Sequence, residues 1–333
     1  MSPPPRPRAA IVGIAGPTLA PDEAALLREY PPAGVILFAR NIADPAQLAA
    51  LSAQLRGVMG AEAVVMIDQE GGRVARLRPP HWRPHPSAQS IGALPPDRAG
   101  RAAYLSGALI GAECAQGGID VVCAPVLDVS HDGTTDAIGD RAFSREPAVA
   151  ARLGRCFAEG LRAAGVQAVG KHAPGHGRAQ VDSHHELPIV EASDLSDDIA
   201  PFAANADLPW LMTAHVVYRA LDADVPATLS PIVIEDVIRG RIGFTGVLCS
   251  DDLAMHALAG DPAERAQRAL AAGCDIALYC PGDAAGTAAV LHAVPALSPH
   301  AAERLAAAAA WAREGRTALD PEALSGERTD LMA

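Results

Sequence analysis

Eight short aliphatic runs recur along this 333-residue chain, and each is continuous rather than alternating. They begin near Ala9 (AAIVGIAG), Gly34 (GVILF), Ala63 (AVVMID), Asp120 (DVVCAP), Val166 (VQAVGKH), Pro209 (PWLMTAH), Gly246 (GVLCSDD) and Asp275 (DIALYC). A strand that is apolar on both faces has to be covered on both faces, which is the environment of a parallel sheet flanked by helices. Amphipathic stretches separate the runs. Asp44-Pro45, Glu146-Pro147, Ser230-Pro231 and Asp261-Pro262 each place a polar side chain before proline, the pattern of a helix start. Gly165, Gly240 and Gly273 stand where helices should stop ahead of the next strand. Eight strand–helix repeats predict one α/β domain over residues 1–333, a (β/α)8 TIM-type barrel, with residues 1–8 and about 320–333 as flexible tails. A doubly wound open sheet would want a glycine-rich phosphate turn after its first strand, and Gly13-Ile14-Ala15-Gly16-Pro17 is not one.

The formal net charge is −12 and no basic run interrupts it, which argues against nucleic acid or an anionic membrane as the partner. No window approaches the roughly 18 uninterrupted apolar residues of a membrane span, and the apolar run after the N-terminal prolines is too short for a signal peptide. The six cysteines are scattered without a CxxC pair and read as reduced, buried side chains, so the expected address is the cytoplasm. No apolar interface stripe stands out, and a monomer or weak oligomer is expected.

In a barrel of this kind chemistry sits where strands end. The third run ends in Asp68-Gln69-Glu70-Gly71-Gly72-Arg73-Val74-Ala75-Arg76, a polar cluster fit to exchange hydrogen bonds with a hydroxylated ligand. The fourth leads to Asp128, which suits loop pinning at least as well as ligand contact. Its loop carries Arg141 between Gly139 and Phe143, a better ligand candidate. The fifth is the richest: Lys171-His172-Ala173-Pro174-Gly175-His176-Gly177, then Asp182-Ser183-His184. Asp182 and His184, two apart on a loop, let a carboxylate orient an imidazole and raise its pKa, keeping it a competent acid near neutral pH. The sixth ends in Met212-Thr213-Ala214-His215 and the seventh in Ser250-Asp251-Asp252, where one acid caps the next helix and the other faces the barrel mouth. Glycoside hydrolysis by double displacement and metal-assisted hydrolysis both fit this inventory. The metal reading wants an HxH at the first strand end, and Ala9–Pro17 holds no titratable side chain.

Taken in order, GVILF at Gly34, Ile67-Asp68-Gln69-Glu70-Gly71-Gly72-Arg73-Val74, Lys171-His172 to His176-Gly177, Asp182-Ser183-His184, Met212-Thr213-Ala214-His215 and Ser250-Asp251-Asp252-Leu253-Ala254-Met255 resemble the bacterial, single-domain β-N-acetylhexosaminidases of glycoside hydrolase family 3. The resemblance implies Asp251 as a nucleophile that forms a glycosyl-enzyme, and His184, partnered by Asp182, as general acid/base on a mobile loop. It implies Asp68, Arg76, Arg141, Lys171 and His172 as the groups that bind an N-acetylglucosamine ring. It further implies a carbohydrate substrate, a 1,6-anhydro-muropeptide of peptidoglycan recycling, and neither a metal nor an organic cofactor. An imidazole acid/base avoids a second full negative charge beside Asp251. Where relatives usually carry phenylalanine after Lys-His, this chain has Ala173. A family 3 β-glucosidase or β-xylosidase is the nearest alternative, followed by a metal-dependent barrel hydrolase and a non-catalytic carbohydrate-binding barrel.

Overall fold

The computed structural model describes residues 6–183 and 185–333. All eight aliphatic runs are strands of one parallel sheet. They are β1 (Arg8–Gly13), β2 (Pro32–Leu37), β3 (Val64–Ile67), β4 (Val121–Val122), β5 (Gln167–Ala173), β7 (Trp210–Thr213), β9 (Val247–Cys249) and β10 (Ala277–Tyr279). A separate parallel pair joins β6 (Ile189–Val190) to β8 (Val217–Tyr218). The order around the sheet is β10-β1-β2-β3-β4-β5-β7-β9, and a bridge from Cys249 to Ile276 joins its two ends. The sheet therefore closes into the expected barrel, and the doubly wound alternative is excluded.

Alternate side chains sort to two layers, as the period of a strand requires. Ile11, Met66, Trp210 and Cys249 fill the barrel interior, while Val12, Val65 and Ile67 meet the surrounding helices. Those helices are α1 (Pro21–Glu29), α2 (Pro45–Met59), α3 (Ala88–Gly92), α4 (Pro96–Gln116), α5 (Pro147–Ala163), α6 (Ser196–Ala203), α7 (Pro262–Ala272), α8 (Ala284–Ala293), α9 (Pro299–Gly315) and α10 (Pro321–Met332). A π-type helix, Val233–Arg241, lies between β8 and β9. The proline-initiated starts hold. Asp44 accepts from Ala46 and Gln47, Asp261 from Glu264, and Ser230 from Val233, each satisfying backbone N–H groups that the first turn leaves open. The stop at Gly240 does not hold: the π-type helix runs through it to Arg241, and the left-handed turn falls to Gly243, at φ 75°.

The segments expected to be loose tails also differ. Arg8 opens β1, and the Arg6 guanidinium donates to the Leu297 carbonyl at 3.0 Å. Residues 321–332 form α10, capped by Asp320. Its Arg328, buried, donates to His85 Nδ1 at 2.8 Å and to the Pro84 carbonyl at 3.2 Å, and Glu327 pairs with Arg101 at 2.7 Å. α9 lies across the N-terminal end of the barrel, with Leu305 and Ala308 against the interior and Arg304 on Asp275 at 2.7 Å. The opposite, C-terminal end stays open. Among the described residues no helix is long and apolar enough to cross a membrane.

Candidate active site

A cavity of about 220 Å³ opens at the C-terminal ends of the strands. Asp68, Arg76, Arg141, Lys171, His172, Asp182 and Asp251 all line it. Seven of the eight residues singled out from the sequence thus meet in one place; the eighth, His184, lies outside the described residues.

Asp68 follows β3 directly, and Lys171 rises from β5 on the same side of the mouth. Lys171 Nζ lies 2.9 Å from Asp68 Oδ1 and 2.6 Å from Glu70 Oε1, and Arg76 Nη2 lies 3.2 Å from Asp68 Oδ2. Arg141 binds both oxygens of Glu70 at 2.8 Å in a two-pronged pair. Burial works to raise the pKa of Asp68, but Lys171 and Arg76 outweigh it and hold the carboxyl below its ordinary value. Burial opposes ionisation of Glu70 too; Arg141 and Lys171 nevertheless hold it at about 2. Burial would strip Lys171 of its proton, yet the two carboxylates push its pKa up. The wall is therefore an alternating array of charges, each partly satisfied by its neighbours, that offers acceptors and donors to a polyhydroxylated ligand.

Asp128 is fully buried and resolves as a pin. Its Oδ2 lies 2.7 Å from His172 Nδ1, and its Oδ1 accepts from the His172 and His176 backbone N–H groups at 3.1 and 2.7 Å. The carboxylate fixes the Nδ1–H form of His172 and presents Nε2, 3.4 Å from Arg141 Nη2, toward the cavity. His176 and His215 are buried differently. Burial and the nearby His172 push His176 down to about 4, and its Nε2 lies 3.3 Å from Ser183 Oγ. Burial lowers His215 as well; its Nε2 lies 2.9 Å from the Asp252 carbonyl and its Nδ1 2.8 Å from Thr228 Oγ1. Both rings are neutral hydrogen-bonding groups at neutral pH.

The two acids after β9 take different roles, but neither caps the next helix, whose N-cap is Asp261; Asp252 holds a turn instead. Asp252 Oδ1 accepts from Ala254 N–H and Cys280 N–H, both at 3.0 Å, which ties the turn to the end of β10. Burial raises its pKa. Asp251 is buried too, but His172, His215, the Asp252 N–H at 2.8 Å and Lys171 together hold its carboxyl below the ordinary value, so it faces the cavity as a carboxylate. Asp128 takes the loop-pinning role that the sequence allowed, and Glu70 joins the site as the partner of Arg141 and Lys171. Glu70 sits two residues beyond Asp68 in the same polar run, a signal that was present; Asp128 needed its partner 44 positions away.

Glu70 makes a pH prediction. Its folded pKa of about 2 lies below the ordinary 4.5, so its ion pairs stabilise the fold fully above about pH 4.5 and are lost as pH falls toward 2. Glu70→Gln should flatten that limb when stability is followed by urea unfolding across this range. An unchanged slope would place the acid sensitivity elsewhere.

Residues 11–310 match the family described as "Glycosyl hydrolase family 3 N terminal domain". A beta-hexosaminidase of Methylococcus capsulatus is 40% identical over 322 residues, 93% of each chain. One of Bordetella pertussis is 42% identical over 285 residues, 83% of this chain and 80% of its own. NagZ from Neisseria gonorrhoeae, solved in complex with N-trifluoroacetyl-D-glucosamine, superposes with a TM-score of 0.86 at 30% identity, over 98% of this chain and 99% of that one. With the barrel and the cavity that Asp251 shares with the charged cluster, these matches place the chain in glycoside hydrolase family 3.

Proposed function

We propose that this β-N-acetylhexosaminidase removes terminal, non-reducing β-linked N-acetylglucosamine with retention of configuration, through a glycosyl ester on Asp251. The observation that carries the reading is that Asp251 and the Asp182–Ser183 segment, which leads directly to His184, line one cavity. In the first step an Asp251 oxygen bonds to C1 as the C1–O bond to the leaving group breaks. The leaving oxygen keeps the bonding pair and takes a proton from His184, whose charge Asp182 supports. In the second step water attacks C1, His184 accepts its proton and Asp251 departs as a carboxylate. His176 and His215 are poor candidates for the acid, because both are neutral and hydrogen-bonded at neutral pH. Asp68, Arg76, Arg141, Lys171 and His172 bind the ring hydroxyls and the N-acetyl group, while Glu70 and Asp128 hold the cations and the imidazole in place.

The natural substrate proposed is a 1,6-anhydro-muropeptide in cytoplasmic peptidoglycan recycling, which the resemblance to the family implies; the N-acylated glucosamine bound by the Neisseria NagZ supports its N-acetylglucosamine end. Turnover of 4-nitrophenyl N-acetyl-β-glucosaminide and of the matching β-glucoside tests the sugar preference, with at least a 100-fold advantage expected for the first. Faster turnover of the glucoside would favour the β-glucosidase alternative. Proton NMR of the first-formed sugar should show the β anomer; release of the α anomer would sink the double displacement.

A further inference from the structure

The segment after β5 is tied down at three places, and one of the ties is a buried carboxylate outside the cavity. Asp198, on α6, is 1% exposed. Its Oδ2 accepts from Arg178 Nε at 2.6 Å, and its Oδ1 lies 2.8 Å from His131 Nε2. Arg178 belongs to the stem that leads to Asp182; His131 belongs to the loop after β4. The same two loops are joined again by a second set of contacts. Thr134 Oγ1 accepts from the His131 N–H and donates to the Gly177 carbonyl, both at 2.6 Å, and the Thr135 N–H donates to the Ala179 carbonyl at 3.3 Å. A Cβ at position 177 would collide with the Val129 carbonyl, so the two backbones touch there. At the far end Ser183 offers its carbonyl to the Ala257 N–H at 3.3 Å, on the loop after Asp251.

Those ties differ in what they fix. The Thr134 and Thr135 contacts hold the two loops together at the root, and the Ser183 contact is a single bond near the tip. Only Asp198 couples both loops to a helix of the barrel wall. Gly175 leaves no room between itself and Asp198, since a Cβ there would lie 2.7 Å from the Asp198 Cβ. Its carboxylate is buried, and both partners are less than one-third exposed, so the pairing is shielded from the screening that weakens surface pairs. We propose that Asp198 is a positioning residue, which through Arg178 and His131 sets where the acid/base segment stands over Asp251. The proposal rests on the reading of His184 as the general acid.

A group that positions the acid matters in proportion to how much the leaving oxygen needs a proton. Asp198→Asn retains the volume but puts an amide N–H where one of the two carboxylate oxygens accepted, and removes the charge that both partners face. With an alkyl or disaccharide leaving group, kcat/KM of Asp198→Asn should fall about 10- to 100-fold, the order expected of a misplaced catalytic group. With a dinitrophenyl leaving group, which departs unaided, it should stay within about threefold of the parent, since kcat/KM reports glycosylation alone. A purely structural role would depress both substrates alike. Arg178→Gln, at a partly exposed position, gives the same comparison if Asp198→Asn fails to fold, and thermal melting runs alongside both. Equal losses on the two substrates, or none in either variant, would overturn the proposal. His184→Ala is the control on the underlying reading. If it lacks the leaving-group contrast, the acid assignment fails; if it has the contrast and the Asp198 and Arg178 variants do not, only the positioning role fails.

Discussion

Asp251→Asn is expected to lower kcat/KM on a chromogenic N-acetyl-β-glucosaminide by on the order of 10⁴- to 10⁶-fold, because the bond-forming oxygen loses its charge. The fold should tolerate the change. The asparagine carbonyl still accepts the Asp252 N–H, and the variant no longer has to keep a buried carboxylate ionised against the cost of burial. Melting within about 4 °C of the parent is expected, so the loss reads as chemistry. A slow 5-fluoro-N-acetylglucosaminide should trap the ester in the parent protein, and mass spectrometry of the digested peptide should place the label on Asp251. Asp252 is the internal control, because two backbone N–H groups occupy its Oδ1 and burial favours its protonated form. A label there would reverse the assignment.

The barrel was legible because its signal is local and repeated. Every strand buried on both faces writes its own run, and a proline after an acid or serine writes the helix start, so the elements declare themselves without knowledge of their neighbours. Features set by distant partners were harder to read. The two-residue pair β6–β8 is too short to carry a period. Gly240 has the right spacing for a stop, yet the π-type helix carries on past it and Gly243 takes the left-handed turn. The last dozen residues are polar and alanine-poor and read as a tail, whereas Arg328, Glu327 and Glu322 find Pro84, His85, Arg101 and Arg83 more than 200 positions away. The same division runs through the site. Asp68, Lys171, His172 and Asp251 stand at strand ends and could be ordered from sequence. The roles of Glu70 and Asp128 depend on Arg141 and His172, 71 and 44 positions on, which no local pattern announces.

The largest effect on the fold is expected at Lys171. Its ammonium, 3% exposed, is, among the described residues, the one cation ion-paired with both Asp68 and Glu70. Lys171→Met leaves both carboxylates buried with one partner each, Arg76 and Arg141, and brings their mutual repulsion forward. Removing one member of a buried ion network costs about 3–5 kcal/mol, because the charges left behind stay desolvated. Activity should fall about 100- to 1,000-fold, as expected when an oriented charge leaves a water-poor site. The sign of the pH dependence distinguishes this cause from lost packing. In the parent both carboxyls titrate below their ordinary values; without Lys171 they rise, so the variant takes up protons where the parent does not. The stability gap should therefore narrow as pH falls from 7 toward 4. Glu70→Gln on the Lys171→Met background removes one of the stranded charges and should recover at least about 1 kcal/mol, a coupling of the size found for residues in one network. A gap that is constant with pH, together with strict additivity in the double variant, would mean that Lys171 acts by filling space rather than by balancing charge.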